Sequence, residues 1–199
     1  MNKIVLFILL IVAIVGLSGC ASKENTMALA PKGQKIETPK DGKAQIVFMR
    51  PSILNGAVNF SVFEIIDGEP FVIATLAPYS KVVHSLEEGT HTFMVNFTGA
   101  DSALMEVTAK AGKIYYSYMA VHAGFFSTSI SFEPYDKSVS MKDINEYLNS
   151  CDLVVMNHKT QQWATKHQRD IRANYKEALE EWNDEDDKDR VRLLASDGR

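Results

Sequence analysis

The chain has 199 residues, with 21 Lys+Arg against 25 Asp+Glu and a formal net charge of −4. That mild acidity argues against nucleic acid as a partner. Two cysteines in the whole chain exclude a disulfide-built scaffold.

Met1, Asn2 and Lys3 form a short start with one positive charge, and Ile4 to Leu17 is an almost unbroken apolar run. Its roughly 14 residues match the hydrophobic region of a signal peptide. They fall short of the roughly 20 needed to span a bilayer as a helix. Small residues Ser18 and Gly19 follow, then Cys20. Leu17-Ser18-Gly19-Cys20 resembles the lipobox of bacterial lipoproteins. The resemblance implies cleavage between Gly19 and Cys20, a signal peptide over 1–19, and a diacylglycerol with further acyl chains (palmitate) on Cys20. Two or three chains anchor stably where one does so only marginally. Ala21 stands where the inner-membrane retention signal of enterobacterial lipoproteins has Asp, which implies the outer membrane rather than the inner and leaves both the periplasmic and the surface-facing leaflet open. Removing residues 1–19 takes away Lys3 alone and leaves a net charge of −5.

Residues 20–43 are rich in Lys, Pro, Gly and polar side chains and lack periodicity, so they are expected to form a flexible tether. A coil of about 20 residues has a root-mean-square reach of roughly 25 Å.

From 44 to 134 the pattern becomes that of an all-β domain. Short apolar or alternating runs cover 44–50, 58–66, 71–76, 81–86, 90–97, 103–109, 113–121 and 125–132. Turn pairs such as Asn55-Gly56, Asp67-Gly68, Glu88-Gly89 and Ala111-Gly112 separate them. Phe93, Val95 and Phe97 share one face of their strand; Thr92, Met94 and Asn96 share the other. One packed and one wetted face are expected, as in an antiparallel sandwich. Alternation loses phase at Val62-Phe63, which predicts a β-bulge.

Three stretches carry a further resemblance: Ala44-Gln45-Ile46-Val47-Phe48-Met49-Arg50-Pro51-Ser52, Glu88-Gly89-Thr90-His91-Thr92-Phe93 and Ala111-Gly112-Lys113-Ile114-Tyr115-Tyr116. Their order is similar to a family of bacterial lipoproteins whose core is a domain of unknown function. The resemblance implies a Greek-key β-sandwich of the transthyretin or carboxypeptidase-regulatory kind. Glu88 departs from the family's usual Pro. The expected fold is therefore mainly β, an antiparallel Greek-key β-sandwich followed by two C-terminal α-helices.

Those helices are expected within 140–184. Ser140 with Asp143 three residues on reads as an N-terminal cap, and Ile144, Tyr147, Leu148 and Cys151 recur at helical spacing. Cys151 thus falls on a packed face. Asn157-His158-Lys159 reads as a break, and Thr160 as the cap of a second helix. Trp163, His167, Ile171, Tyr175, Ala178 and Trp182 form its apolar stripe. Such a stripe ordinarily packs on its own domain. Trp163, Ile171, Tyr175 and Trp182 are also the candidate face for an envelope protein partner. The acidic run within 185–199 lacks the spacing of a calcium loop and reads as a polar, disordered tail.

Catalytic motifs are missing from the sequence: there is no H-E-x-x-H, C-x-x-C, G-x-S-x-G or P-loop. No catalytic residue, metal or cofactor is assigned, apart from the covalent lipid. His84, His91 and His122 would make a zinc site only if they converged. Ser102, His91 and Asp101 offer the letters of a triad and nothing more. Arg50, at a strand end, is the candidate ligand-contacting charge, against pairing with an acid. The expected function is a membrane-anchored, non-catalytic interaction or structural module of the bacterial envelope. The alternative is a periplasmic small-molecule or metal-binding protein, or an enzyme.

Overall fold

Ala44–Arg50 (β2) is apolar at nearly every position because both its faces are covered. Ile46 and Phe48 point into the main core, while Val47 and Met49 point the other way into a second cluster. The computed structural model describes residues 26–52, 58–97, 101–123 and 128–199. Gly19, Cys20 and the apolar run before them lie outside these, as does the first part of the expected 125–132 strand.

The other strands are β1 (Met27–Leu29), β3 (Phe60–Ile66), β4 (Glu69–Leu76), β5 (Ser80–Leu86), β6 (Gly89–Asn96), β7 (Ala103–Ala109), β8 (Ile114–Ala123), β9 (Thr128–Pro134), β10 (Asp152–Met156) and β11 (Arg192–Leu193). They form two sheets, ordered β1-β10-β5-β2-β8-β9 and β11-β7-β6-β3-β4. The helices are α1 (Met141–Ser150), α2 (His158–Lys166) and α3 (Gln168–Asp184).

The inner faces of both sheets meet in one core. Phe48 packs edge-on against Phe93 at 5.1 Å and lies 5.6 Å from Phe132. The ladder shifts register between Val62 and Phe63, where the sequence loses phase. The extra residue is Ile73 on β4: Val62 pairs with Ala74 and Phe63 with Val72, so Ile73 and Ala74 both reach the core while Val72 turns outward.

Both sheets are mixed, which corrects the purely antiparallel expectation. β2 runs parallel to β8, β10 parallel to β5, and β11 parallel to β7. Two of these parallel pairs are made by short strands returning from the C-terminal third. The wetted outer faces are corrected where helices lie on them, while His122 and Glu133 on the outer side of β8–β9 stay exposed. Met94 is fully buried and Asn96 nearly so, because helices cover both sheets. α1 brings Ile144 onto Val47, Met49 and Tyr116. α2 and α3 bring Ile171 and Ala178 onto Phe63, Val72, Met94 and Leu104. The order of layers is helix, sheet, sheet, helices.

Ser140 caps α1 as expected, its Oγ accepting from the Asp143 N–H and donating to Asp143 Oδ2 at 2.7 Å. The next segment differs from expectation. Asp152–Met156 is a strand, Asn157 is the cap, and Thr160 closes a capping box from the third helical position. The expected single second helix is two, parted at His167, whose Nδ1–H donates to the Trp163 carbonyl at 2.8 Å.

Both ends of the described chain are bound to the domain, where a tether and a disordered tail were expected. Thr26 and Met27 are buried. The Thr26 hydroxyl meets that of Thr75, and its carbonyl accepts from Thr160 Oγ1. Met27–Leu29 then pairs with β10, and Ile36 packs into the cluster under α1. At the other end Leu193 enters the main core. Asp197 Oδ2 accepts from the Leu194 N–H at 2.7 Å, and Arg199 exchanges both backbone hydrogen bonds with Ile114. Gly198 is wedged so tightly that a Cβ would lie 2.7 Å from Lys113 Cβ and 2.8 Å from Tyr115 Cζ. These contacts hold a composition that reads as polar tail because partners far away in sequence satisfy its backbone.

Candidate functional sites

The three histidines do not converge. His122 donates to or accepts from Ser131 Oγ at 2.8 Å and lies 3.5 Å from Glu133. His84 is level, across β2, with Tyr115. His122 sits seven residues further along that strand, roughly 23 Å away.

His84 and His91 are instead brought together by Glu64, which no sequence motif singles out. Glu64 projects from β3 in one sheet and meets His84 of the other, Oε2 to Nε2 at 2.8 Å. Its Oε1 lies 2.7 Å from His91 Nδ1. The carboxylate therefore ties the two sheets together near the β5–β6 turn. Burial alone would push its carboxyl up. The hydrogen bonds and charges of the two imidazoles outweigh that and hold it down at about 2. An ionised carboxylate only accepts, so both ring nitrogens facing it must carry hydrogens. His91 Nε2 faces another pure acceptor, the Glu87 carbonyl, at 3.1 Å. A doubly protonated ring satisfies both neighbours. The hydrogen bond to Glu64 accordingly raises the His91 pKa against the effect of burial.

Both Glu64 oxygens and both His91 nitrogens are thus engaged within the protein. Asp101 bridges to Ser129, and Ser102 precedes β7 at the far end of the β6–β7 hairpin from His91. The geometry gives this cluster a cross-sheet link and no nucleophile.

Arg50 is fully buried. One terminal nitrogen donates to the Val58 carbonyl at 2.7 Å and to the Leu76 carbonyl at 2.9 Å, and the guanidinium lies 3.6 Å from the Phe60 ring centroid. Burial lowers its pKa to about 10, which still leaves it charged at neutral pH. The residue expected to contact a ligand thus lies between the sheets, where the Val58 and Leu76 carbonyls accept from it.

The tryptophan stripe packs on its own domain. Trp163 stacks on Phe63 at 6.5 Å, Ile171 is buried, and Tyr175 and Trp182 pack around the same cluster. These side chains face their own sheet; the outer face of α3 carries Arg169, Arg172, Lys176 and Glu180, all exposed. Cys151 is a buried free thiol, and burial pushes its pKa up.

Two clefts remain. One, of about 210 Å³, is lined by Tyr118, Tyr135, Asp143, Glu146 and Tyr147. Its three rings lie 5.2 to 6.2 Å apart between centroids. The Tyr135 hydroxyl is buried without a hydrogen-bond partner, and burial raises its pKa. The other cleft, of about 200 Å³, lies at the β4–β5 corner, lined by Met27, Leu29, Asn59, Pro78, Tyr79, Asp152 and Val154 among others. No protein-family model matches the chain, and a search of curated proteins finds no match.

Replacing Arg50 with Met should lower stability by about 2–5 kcal/mol, because buried carbonyls lose their donor. Denaturant unfolding of the two forms measures it. The Glu64 link carries a pH signature. The raised His91 pKa contributes stability in full below its unfolded value of 6.5, and that contribution fades as pH rises through the folded value. The lowered Glu64 pKa contributes above its unfolded value of 4.5, and is lost as pH falls toward about 2. The cost of Glu64→Gln should therefore peak between about pH 4.5 and 6.5, at about 1.5–3 kcal/mol. It should shrink toward pH 9 in thermal unfolding scans.

Proposed function

We propose that the chain is a lipid-anchored module of the bacterial envelope, held through Cys20 and non-catalytic, which works by presenting a rigid domain at the membrane surface. The lipobox resemblance of Leu17–Cys20 is its basis, and the observation that carries it is the seating of Thr26–Leu29 on the domain. A segment that merely led to a cleavage site has no need to be bolted down six residues later. A segment that transmits an anchor does. Among the described residues no helix is long and apolar enough to cross a membrane, so any attachment of this domain by a helix would come from outside them. The family resemblance and its Greek-key core belong to the same proposal. Its three motif stretches are β2 and the glycine turns that open β6 and lead into β8, with Gly89 and Gly112 at φ of 138° and 78°.

In bacteria making the protein, Cys20→Ser should abolish incorporation of labelled palmitate and move the protein from the membrane pellet to the soluble fraction. An unlipidated variant that stays in the pellet would overturn the anchor.

A second reading, small-molecule binding, is favoured by the tyrosine cleft. Three ring faces and the carboxylates of Asp143 and Glu146 suit an organic cation, such as a quaternary ammonium. Choline should then quench tyrosine fluorescence saturably, while its uncharged isostere 3,3-dimethylbutanol should not. Glu146→Gln should weaken choline several-fold. Equal responses to both compounds would return the tyrosines to ordinary packing.

A further inference from the structure

The anchor reading leaves open which side of the domain meets the bilayer. Cys20 and Thr26 are six residues apart, so even a fully extended chain separates them by at most about 21 Å. Thr26 is fixed by its hydrogen bonds to Thr75 and Thr160. The lipid must therefore lie close to the β1–β10 edge of the six-stranded sheet.

That edge is apolar where it is exposed. Leu29 is 71% exposed, Met156 46%, Tyr79 45% and Val155 38%. Leu29 and Met156 lie on the face of the edge that also bears Met27 and Val154, since the register pairs Met27 with Met156 and Leu29 with Val154. Val155 points to the opposite face. Both sides of the rim thus carry apolar side chains, and the corner cleft lies on the Met27, Leu29 and Val154 side with Pro78 and Tyr79 on its wall.

Tyr79 adds an independent observation. Its φ is +56°, the left-handed region that favours glycine. The backbone is locked there by the Tyr79 N–H donating to the Arg50 carbonyl and the Asp152 N–H donating to the Tyr79 carbonyl, both at 2.8 Å. A large amphipathic ring is held outward at a position where glycine would be the less strained choice. Tyrosine is a residue of membrane–water interfaces. Lys159, exposed just after Met156, offers a cation for anionic headgroups, while Asp152 in the cleft calls for hydration.

We propose that the β1–β10 edge and the Tyr79 corner form the face that lies on the bilayer, with Leu29, Tyr79, Val155 and Met156 in the headgroup–acyl boundary. This rests on the anchoring of Cys20. The depth is interfacial, since the outer edge of β1 carries backbone groups that need water. The charged outer face of α3 lies on the helix that covers the other sheet and contributes no residue to this edge.

The test uses the full lipidated protein in liposomes of phosphatidylethanolamine and phosphatidylglycerol, doped with lipid bearing a doxyl quencher. A nitrobenzoxadiazole fluorophore is attached at Leu29→Cys, Met156→Cys or Lys176→Cys, with Cys151 protected by burial and serving as the check on folding. Labels at 29 and 156 should shift to the blue and be quenched at least about twofold more than the label at 176. Equal quenching at all three positions in protein that carries its lipid and floats with the liposomes overturns this orientation and leaves the anchor standing. Protein that carries no lipid and stays in solution overturns both.

Discussion

The arrangement hangs on a buried guanidinium. Arg50 ends β2 in one sheet and hands its charge to the carbonyls of Val58 and Leu76 in the other, over the face of Phe60. A charge withdrawn from water is costly unless polar partners meet it, and the fall of its pKa to about 10 reflects that cost. The partners are backbone groups that must lie at the ends of β3 and β4, so the bond fixes where those strands stand relative to β2. The Arg50 carbonyl then accepts from Tyr79 and sets the β4–β5 corner. Tyr79 in turn receives Asp152, which starts β10 beside β5, and β10 carries β1. One side chain and its carbonyl thereby govern the whole edge at which the N-terminal segment joins.

The second organising feature is that helices cover part of the outer face of each sheet. Strands with both faces buried read as nearly continuous apolar runs, as in β2, and as Phe93-Met94-Val95 in β6. The helices that cover them are amphipathic and short on their own stability; packing of the apolar stripe holds them. This explains why the tryptophans lie where they do. Trp163 and Trp182 serve a core outside the sandwich, against Phe63 and Met94, and leave a charged surface outward.

Polar groups buried between the sheets serve the same end by a different means. Glu64 is the mirror of Arg50: a charged group from one sheet satisfied by the other. The two lie in different places along the sandwich, one near the β5–β6 turn and one near the β4–β5 corner. Each specifies how the sheets are set against one another, because a shift of either would strand a charge. The polar groups buried between the sheets are thereby engaged in holding them together.

Local patterning determined much of this fold. Eight strands were legible from alternation and glycine turns, the bulge from the phase slip at Val62-Phe63, the first helix cap from Ser140 and Asp143, and the burial of Cys151 from helical spacing. Each depends on neighbours within a few residues. What the tertiary structure decided involves partners far apart in sequence. Met27–Leu29 and Asp152–Met156 are too short to carry a period of their own, and become strands because they pair across more than a hundred residues. Leu193 and Arg199 are held by β7 and Ile114, so a polar composition belies an ordered end. Glu64, Arg50 and the tryptophans gained their roles from which sheet or helix faces them, and a one-dimensional pattern of apolar and charged letters does not encode that opposition.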